Sequence, residues 1–145
     1  IIGDGDPTPH QSYARELGIA NRIEILGEIS LPEVAQRMRE SDALILFSRF
    51  ENFPCVIPEA WASGIPVLST DVGGISEHLT SERGTLIASE DESALAQRLT
   101  DWSQGRIHFD PTALRAHAEK TFSIEAVAGA YHDVYVEALS TFEAP

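Results

Sequence analysis

Apolar and polar positions change period several times along the chain, and each change marks an element. Ile1-Ile2-Gly3 reads as a strand end running into the turn Asp4-Gly5-Asp6-Pro7. Residues 9–17 suit a helix closed by Gly18. Arg22 to Leu26 alternates polar and apolar side chains, the period of a strand, and Gly27 ends it. Ser30 and Glu33 have the spacing of a capping box, after which Leu31, Val34, Ala35 and Met38 share one helical face up to Glu40. Ala43 to Phe47 is an unbroken apolar run, too short for a helix of its own, and fits a central parallel strand covered on both faces.

Ser48 to Phe53 is polar loop, and a helix follows from Cys55 to Ser63, with Pro58 confined to its first turn and Gly64 ending it. Ile65 to Ser69 is a second buried strand, Asp71-Val72-Gly73-Gly74 turns into a short helix at Ile75 to Leu79, and Gly84 to Ala88 is a last strand. Ser89 to Glu92 reads as a second capping box opening a helix to Gln104, and Asp110-Pro111 opens another to Lys120. Ser123 starts a final helix to Leu139, with Ile124, Val127, Ala128, Tyr131, Val134, Tyr135 and Leu139 on one face, part of it expected to be exposed. Residues 141–145 are expected to fray. Strands alternating with helices predict an α/β fold with a mostly parallel sheet and right-handed crossovers. Ligands bind such sheets outside the carboxyl ends of the strands. Three polar turns are expected there: Asp4 to Asp6, Ser48 to Pro54, and Asp71 to Gly74.

Composition narrows the partners. The 145 residues, 43% hydrophobic, suit one domain with a real core. The single cysteine, Cys55, excludes an internal disulfide and points to a reducing, cytoplasmic setting. No apolar run approaches the ~18 residues of a membrane span, and no leader pattern is present. The chain starts at Ile1 on a strand end, which is expected of a piece of a longer protein. The net charge of −13 argues against nucleic acid and against docking on anionic lipid through this segment. It leaves room for an anionic ligand, because free N–H groups at a helix start bind anions without side-chain cations.

Two carboxylates stand out. Glu51 lies in the loop before a helix, and Glu59 about one turn inside it. One reading rests a diphosphate on the amides of Asn52 to Val56, with the two acids accepting from hydroxyl groups on either side. The other makes Glu51 an electrostatic cap and Glu59 a solvated helix residue; spacing alone favours neither. Gly73-Gly74 offers a second open helix start. Gly3-Asp4-Gly5 lacks the third glycine of a dinucleotide fingerprint. Asp4 and Asp6 read as turn formers before they read as metal ligands. His10, His78, His108, His117 and His132 have no ligand spacing, and Cys55 has no evident partner base. No metal is expected, and no nucleophile elbow occurs.

Taken together, Glu51 to Ala60, Ala62-Ser63-Gly64-Ile65-Pro66-Val67, Asp71 to Gly74 and Glu77-His78 resemble the donor-binding domain of retaining GT-B glycosyltransferases of family 4, the glycosyl transferases group 1. Ile2 to Gly5, Ile25-Leu26-Gly27, the Ser30 to Glu33 box and Ser41-Asp42-Ala43 fit the same pattern. The resemblance implies a Rossmann-like three-layer parallel sheet, the C-terminal half of a GT-B fold, as one nucleotide-sugar-binding domain over residues 1–140. It implies Glu51 as the catalytic acid on the donor sugar's hydroxyls and Glu59 on the ribose. Asn52, Phe53, Pro54 (carbonyl only) and Cys55 would cradle sugar and phosphate. Gly3 and Gly5 form the family's glycine turn, Glu28 and Ile29 lie where backbone holds the base, and Thr70, Gly73 and Gly74 line the phosphate side.

The implied reaction moves a sugar from a nucleotide-diphosphate donor to an acceptor with retention and without metal or other cofactor. The family neutralises the diphosphate with an Arg and a Lys on the βα unit just upstream, which this chain lacks, as it lacks the acceptor-binding N-terminal domain. The chain alone is therefore expected to be inactive, and the longer protein to be cytoplasmic or peripheral to the inner face of the membrane. Two other readings stay open: a non-catalytic α/β module that binds a nucleotide or sugar, and, ranked last, a hydrolytic carboxylate pair.

Overall fold

A computed structural model of the chain describes residues 1–142. The chain divides into two compact units, residues 1–37 and the remainder from Met38 onward. The expected region over 1–140 spans both.

In the first unit, α1 (Thr8–Glu16) opens on Asp6, whose Oδ1 accepts from the Thr8 amide at 2.9 Å. Hydrogen bonding from Thr8, from its side chain first and then from this amide, holds the Asp6 carboxyl below its usual range. The helix closes as expected past Leu17: Gly18 donates to the Arg15 carbonyl and Ile19 to the Ala14 carbonyl, a Schellman pairing. The strand expected over Arg22 to Leu26 is reduced. Ala20–Arg22 form a 3-10 turn, and only Leu26 pairs, in a parallel bridge with Ile2. Gly3 (φ 156°) and Gly5 (φ 111°) turn the partner segment away after that one bridge, so the alternating pattern finds no ladder to join. Half of the Ser30 box forms: Glu33 Oε2 accepts from the Ser30 amide at 2.9 Å, while the Ser30 hydroxyl donates to that same oxygen at 2.6 Å, which takes the place of the cap bond expected from the Glu33 amide. It opens α2 (Leu31–Arg39), which crosses the division between the units. Leu31, expected on the apolar face, is exposed, while Met38 is buried.

The second unit is built on a parallel sheet of order β1-β2-β3, formed among the described residues by β1 (Leu44–Leu46), β2 (Val67–Thr70) and β3 (Gly84–Ile87). Every residue of β2 is buried, as a central strand requires. β1 is an outer strand of this sheet, and Ile45 is 49% exposed, so the expectation of cover on both faces of 43–47 is not met. Helix α3 (Val56–Ser63) follows β1, with Pro58 in its first turn. Its Ile57, Ala60 and Trp61 are wholly buried, and Trp61 Nε1 donates to the Arg83 carbonyl at 3.0 Å, so the large ring enters the core without an orphaned donor. α4 (Ile75–His78) and α5 (Glu92–Ser103) follow. α5 is capped by Asp91, whose Oδ1 accepts from the Ala94 amide at 2.8 Å, and not by the expected box at Ser89; the preceding Glu90 takes a left-handed φ of 64°, which moves the helix start on by two residues.

α6 (Pro111–Phe122) has Asp110 as cap and buries Leu114 and Ala118 against α3. α7 (Ile124–Thr141) is capped by Ser123 and packs on α6. Its apolar face stays largely open, with Ile124 84% and Leu139 75% exposed. Of the segment expected to fray, Thr141 is helical and 143–145 lie outside the described residues.

Candidate functional site

The carboxyl ends of β1 and β2 carry two turns that are locked to one another. Thr70, 1% exposed at the end of β2, donates its hydroxyl to the Ser48 carbonyl at 2.6 Å. One residue earlier, the buried Ser69 hydroxyl donates to the Leu46 carbonyl at 3.1 Å. Buried hydroxyls without partners cost stability, so these two both satisfy themselves and fix the chain as it leaves β1. Ser48 then donates its own hydroxyl to Glu51 Oε1 at 2.8 Å. The Gly74 amide donates to the Asn52 carbonyl at 2.7 Å. Gly73, at φ 57°, passes so close that a β-carbon there would overlap the Glu51 carbonyl. The Gly-Gly turn, read in the sequence as an anion-binding helix start, is thus also the surface on which the acid-bearing loop lies.

Below the loop is an aromatic cluster. Phe53 stacks on Phe122 (ring centroids 5.6 Å apart, planes at 20°) and tilts against His78 at 4.8 Å. Phe122 also meets His117 and Trp61, and Trp61 meets His117 edge-on. The Arg83 guanidinium lies over the Trp61 ring, 6.0 Å from its centroid. The His117 ring is half-buried but its Nε2 is fully enclosed and has no partner among the described residues. Burial, then the positive charges of Arg83, His78 and Lys120, push its pKa below the usual histidine value.

The sequence-derived candidates fall into groups. Gly3, Gly5 and Glu28, all exposed, and the half-buried Ile29 belong to the first unit. In the second unit, Glu51, Asn52, Phe53, Thr70, Gly73 and Gly74 are brought together by the bonds above. The Pro54 carbonyl accepts from the Ile57 amide at 3.1 Å and helps start α3. The amides of Asn52, Phe53, Cys55 and Val56 have no acceptor among the described residues, so the helix start presents free donors. Glu59 is exposed one turn further on. It lines a groove of about 520 Å³ between α3 and α6, shared with Cys55, Pro58, Arg115, Glu119 and Phe122. Glu51 does not line that groove. A larger groove, about 650 Å³, lies by the amino ends of β1 and β2, at Asp42 and Gly64 to Pro66, and holds none of the candidates.

Among the described residues no three His, Cys, Asp or Glu side chains gather as a metal site would need, and no helix is long and apolar enough to cross a membrane. Sequence reasoning missed Ser48 and the Phe122, His78 and His117 cluster. The available signal for Ser48 was a hydroxyl three residues before an acid at a strand end. The cluster is assembled from the loop, α3, α4 and α6, and no local spacing announces it.

The arrangement offers a carboxylate and free amides at strand ends, the chemistry of a site for a hydroxylated anion. Comparison with known proteins gives it a family. The family model for glycosyl transferases group 1 matches residues 1–104. The lipopolysaccharide core biosynthesis mannosyltransferase LpsB of Rhizobium meliloti is 32% identical over 147 residues, covering 93% of this chain and 41% of its own. The lipopolysaccharide 1,6-galactosyltransferase of Salmonella typhimurium is 46% identical over 74 residues, 49% of this chain and 21% of its own. Among solved structures, the lipopolysaccharide outer core galactosyltransferase WaaB in its apo form superposes with a TM-score of 0.80 at 27% identity, over 94% of this chain and 40% of that one. Anabaena HepE in complex with UDP-glucose has the same fold, with a TM-score of 0.77 at 24% identity over 97% of this chain and 40% of that one. The chain therefore spans about two fifths of the length of LpsB, WaaB and HepE. The parallel sheet with flanking helices is the α/β, Rossmann-like architecture of these GT-B enzymes. With 104 of its 145 residues matched by the family model, this chain belongs to the glycosyl transferases group 1 family.

Proposed function

We propose that the second unit of this chain is part of the donor site of a glycosyltransferase, which moves a sugar from a nucleoside-diphosphate sugar to an acceptor with retention. The observation that carries the reading is the clamped acid loop: Glu51, at the carboxyl ends of the strands, is fixed to Ser48 and laid on the Gly73-Gly74 turn. In the reaction the bond from the anomeric carbon to the diphosphate breaks, the diphosphate leaves with the electron pair, the acceptor oxygen bonds to that carbon on the same face, and the acceptor's hydroxyl proton passes to the departing diphosphate oxygen. Glu51 accepts hydrogen bonds from the donor sugar's hydroxyls. The free amides of Asn52, Phe53, Cys55 and Val56 meet the phosphate charge as it develops, since preorganised donors aimed at nascent charge lower a barrier most. Gly73 and Gly74 border the phosphate, Thr70 holds the floor beneath it, and Glu59 accepts from the ribose. No metal is assigned a role. The cations and the acceptor-binding surface come from the rest of a longer, cytoplasmic or membrane-peripheral protein, and the chain by itself is inactive.

The test uses the full-length protein with a panel of UDP-, GDP- and ADP-sugars. Glu51→Ala is expected to abolish transfer while the far-ultraviolet spectrum stays unchanged; near-normal transfer removes Glu51 from its role. Glu59→Ala is expected to weaken nucleotide binding by about 10- to 100-fold, the worth of charge-assisted hydrogen bonds. Binding of no donor at all turns the reading toward a non-catalytic sugar- or nucleotide-binding module.

A further inference from the structure

Glu51 sits in a loop, with no helix or strand to hold a flexible side chain, and among the described residues it has no ion pair. One group does hold it, the Ser48 hydroxyl at 2.8 Å from Oε1. That hydroxyl is itself at a fixed point, because the Ser48 carbonyl is tied to Thr70 at 2.6 Å and Thr70 is buried at the end of the fully buried β2. The chain of bonds runs from the fully buried strand β2 to the carboxylate in two steps.

We infer that Ser48 is a positioning residue for Glu51: its hydroxyl occupies Oε1 and so leaves Oε2 as the oxygen offered to the donor sugar. This rests on the donor-site reading above. A neutral donor suits the task. A cation would neutralise the carboxylate and compete with sugar hydroxyls for both oxygens, whereas one O–H fixes the orientation and leaves the negative charge in place. Among the described residues Ser48 bears on Glu51 and makes no bond to Glu59, which lines the groove between α3 and α6.

The experiment compares wild type, Ser48→Ala and Ser48→Thr in the full-length protein. Affinity for free UDP, GDP and ADP is measured beside that for the corresponding glucose nucleotides, and transfer rates are taken with the donor the wild type uses. Ser48→Ala is expected to keep free-nucleotide affinity and melting temperature, to lose about tenfold of the extra affinity for the sugar nucleotide, and to lower kcat more than it raises KM for the donor. Ser48→Thr, which keeps the hydroxyl, is expected to restore most of both. An unchanged sugar margin in Ser48→Ala overturns the inference alone. So does a parallel loss of free-nucleotide binding, or a Thr variant no better than Ala, either of which marks a merely structural serine. A wild type that binds none of the sugar nucleotides overturns the donor-site reading, and this inference with it.

Discussion

Gly73 is held by two constraints at once. Its φ of 57° is left-handed, and a side chain there would run into the Glu51 carbonyl, with the Asn52 carbonyl 2.8 Å away. Neither obstacle is a side chain that can swing aside. Gly73→Ala is expected to cost about 2 kcal/mol or more, read as a lower urea midpoint, and to disturb donor binding because relief requires the acid loop to lift. His117 gives a pH signature. Its pKa lies below the ordinary 6.5 because of burial first and then Arg83, His78 and Lys120. The folded state therefore resists a proton that the unfolded chain accepts. The stability from this group is complete above about pH 6.5 and is lost as pH falls below it, until the folded ring itself titrates. Urea midpoints between pH 7.5 and 5 should decline, and His117→Phe should flatten that decline. At this scale the placement of Glu51, in the loop just before a helix start, was legible from local pattern. Ser48, Phe122 and His117 were not, because a single hydroxyl bond and a cluster from four segments leave no period in the chain.

Elements were read best where a local rule decides them. The glycine past Leu17, Asp110 with Pro111, and Ser123 work as their spacing implies, and Glu33 reaches back to the Ser30 amide as its spacing implies. The reading failed where two local rules competed. Ser89 and Asp91 both suit a cap, and the left-handed Glu90 decided for Asp91. Asp91→Ala should therefore cost about 1 kcal/mol in stability and Ser89→Ala a few tenths at most. Strands were less legible than helices, because pairing depends on a distant partner: residues 22–26 alternate well, yet among the described residues their one ladder bridge is that of Leu26 with Ile2. At the α3 start, Cys55 is exposed beside the free amides. If phosphate rests there, UDP or the native donor should slow alkylation of Cys55 by iodoacetamide several-fold, followed by mass spectrometry, and an unchanged rate places the phosphate elsewhere.

For the molecule as a whole, the α/β class followed from the alternation of elements, and the family followed from motifs spread over most of the chain. What surrounds the chain did not. A net charge of −13 gives little attraction for a diphosphate, which is why the proposed cations are sought in the rest of the protein. The open face of α7, with Tyr131, Val134 and Tyr135 each more than half exposed, is a periodic pattern whose burial the sequence cannot report, because periodicity defines a face and not its neighbour.

The close passage of Gly73 over Glu51 bears on how such enzymes can be re-engineered. Two segments some twenty residues apart share one backbone fit, with Gly74 bonded to Asn52 and no room for a side chain between them. A graft that imports residues 48–55 from another transferase, aiming to change the sugar accepted, brings a loop shaped to a different floor. The smallest transplantable cassette is both turns together with the hydroxyl of Thr70, and swaps of either turn alone should yield chimeras that fold poorly or lose their sugar preference.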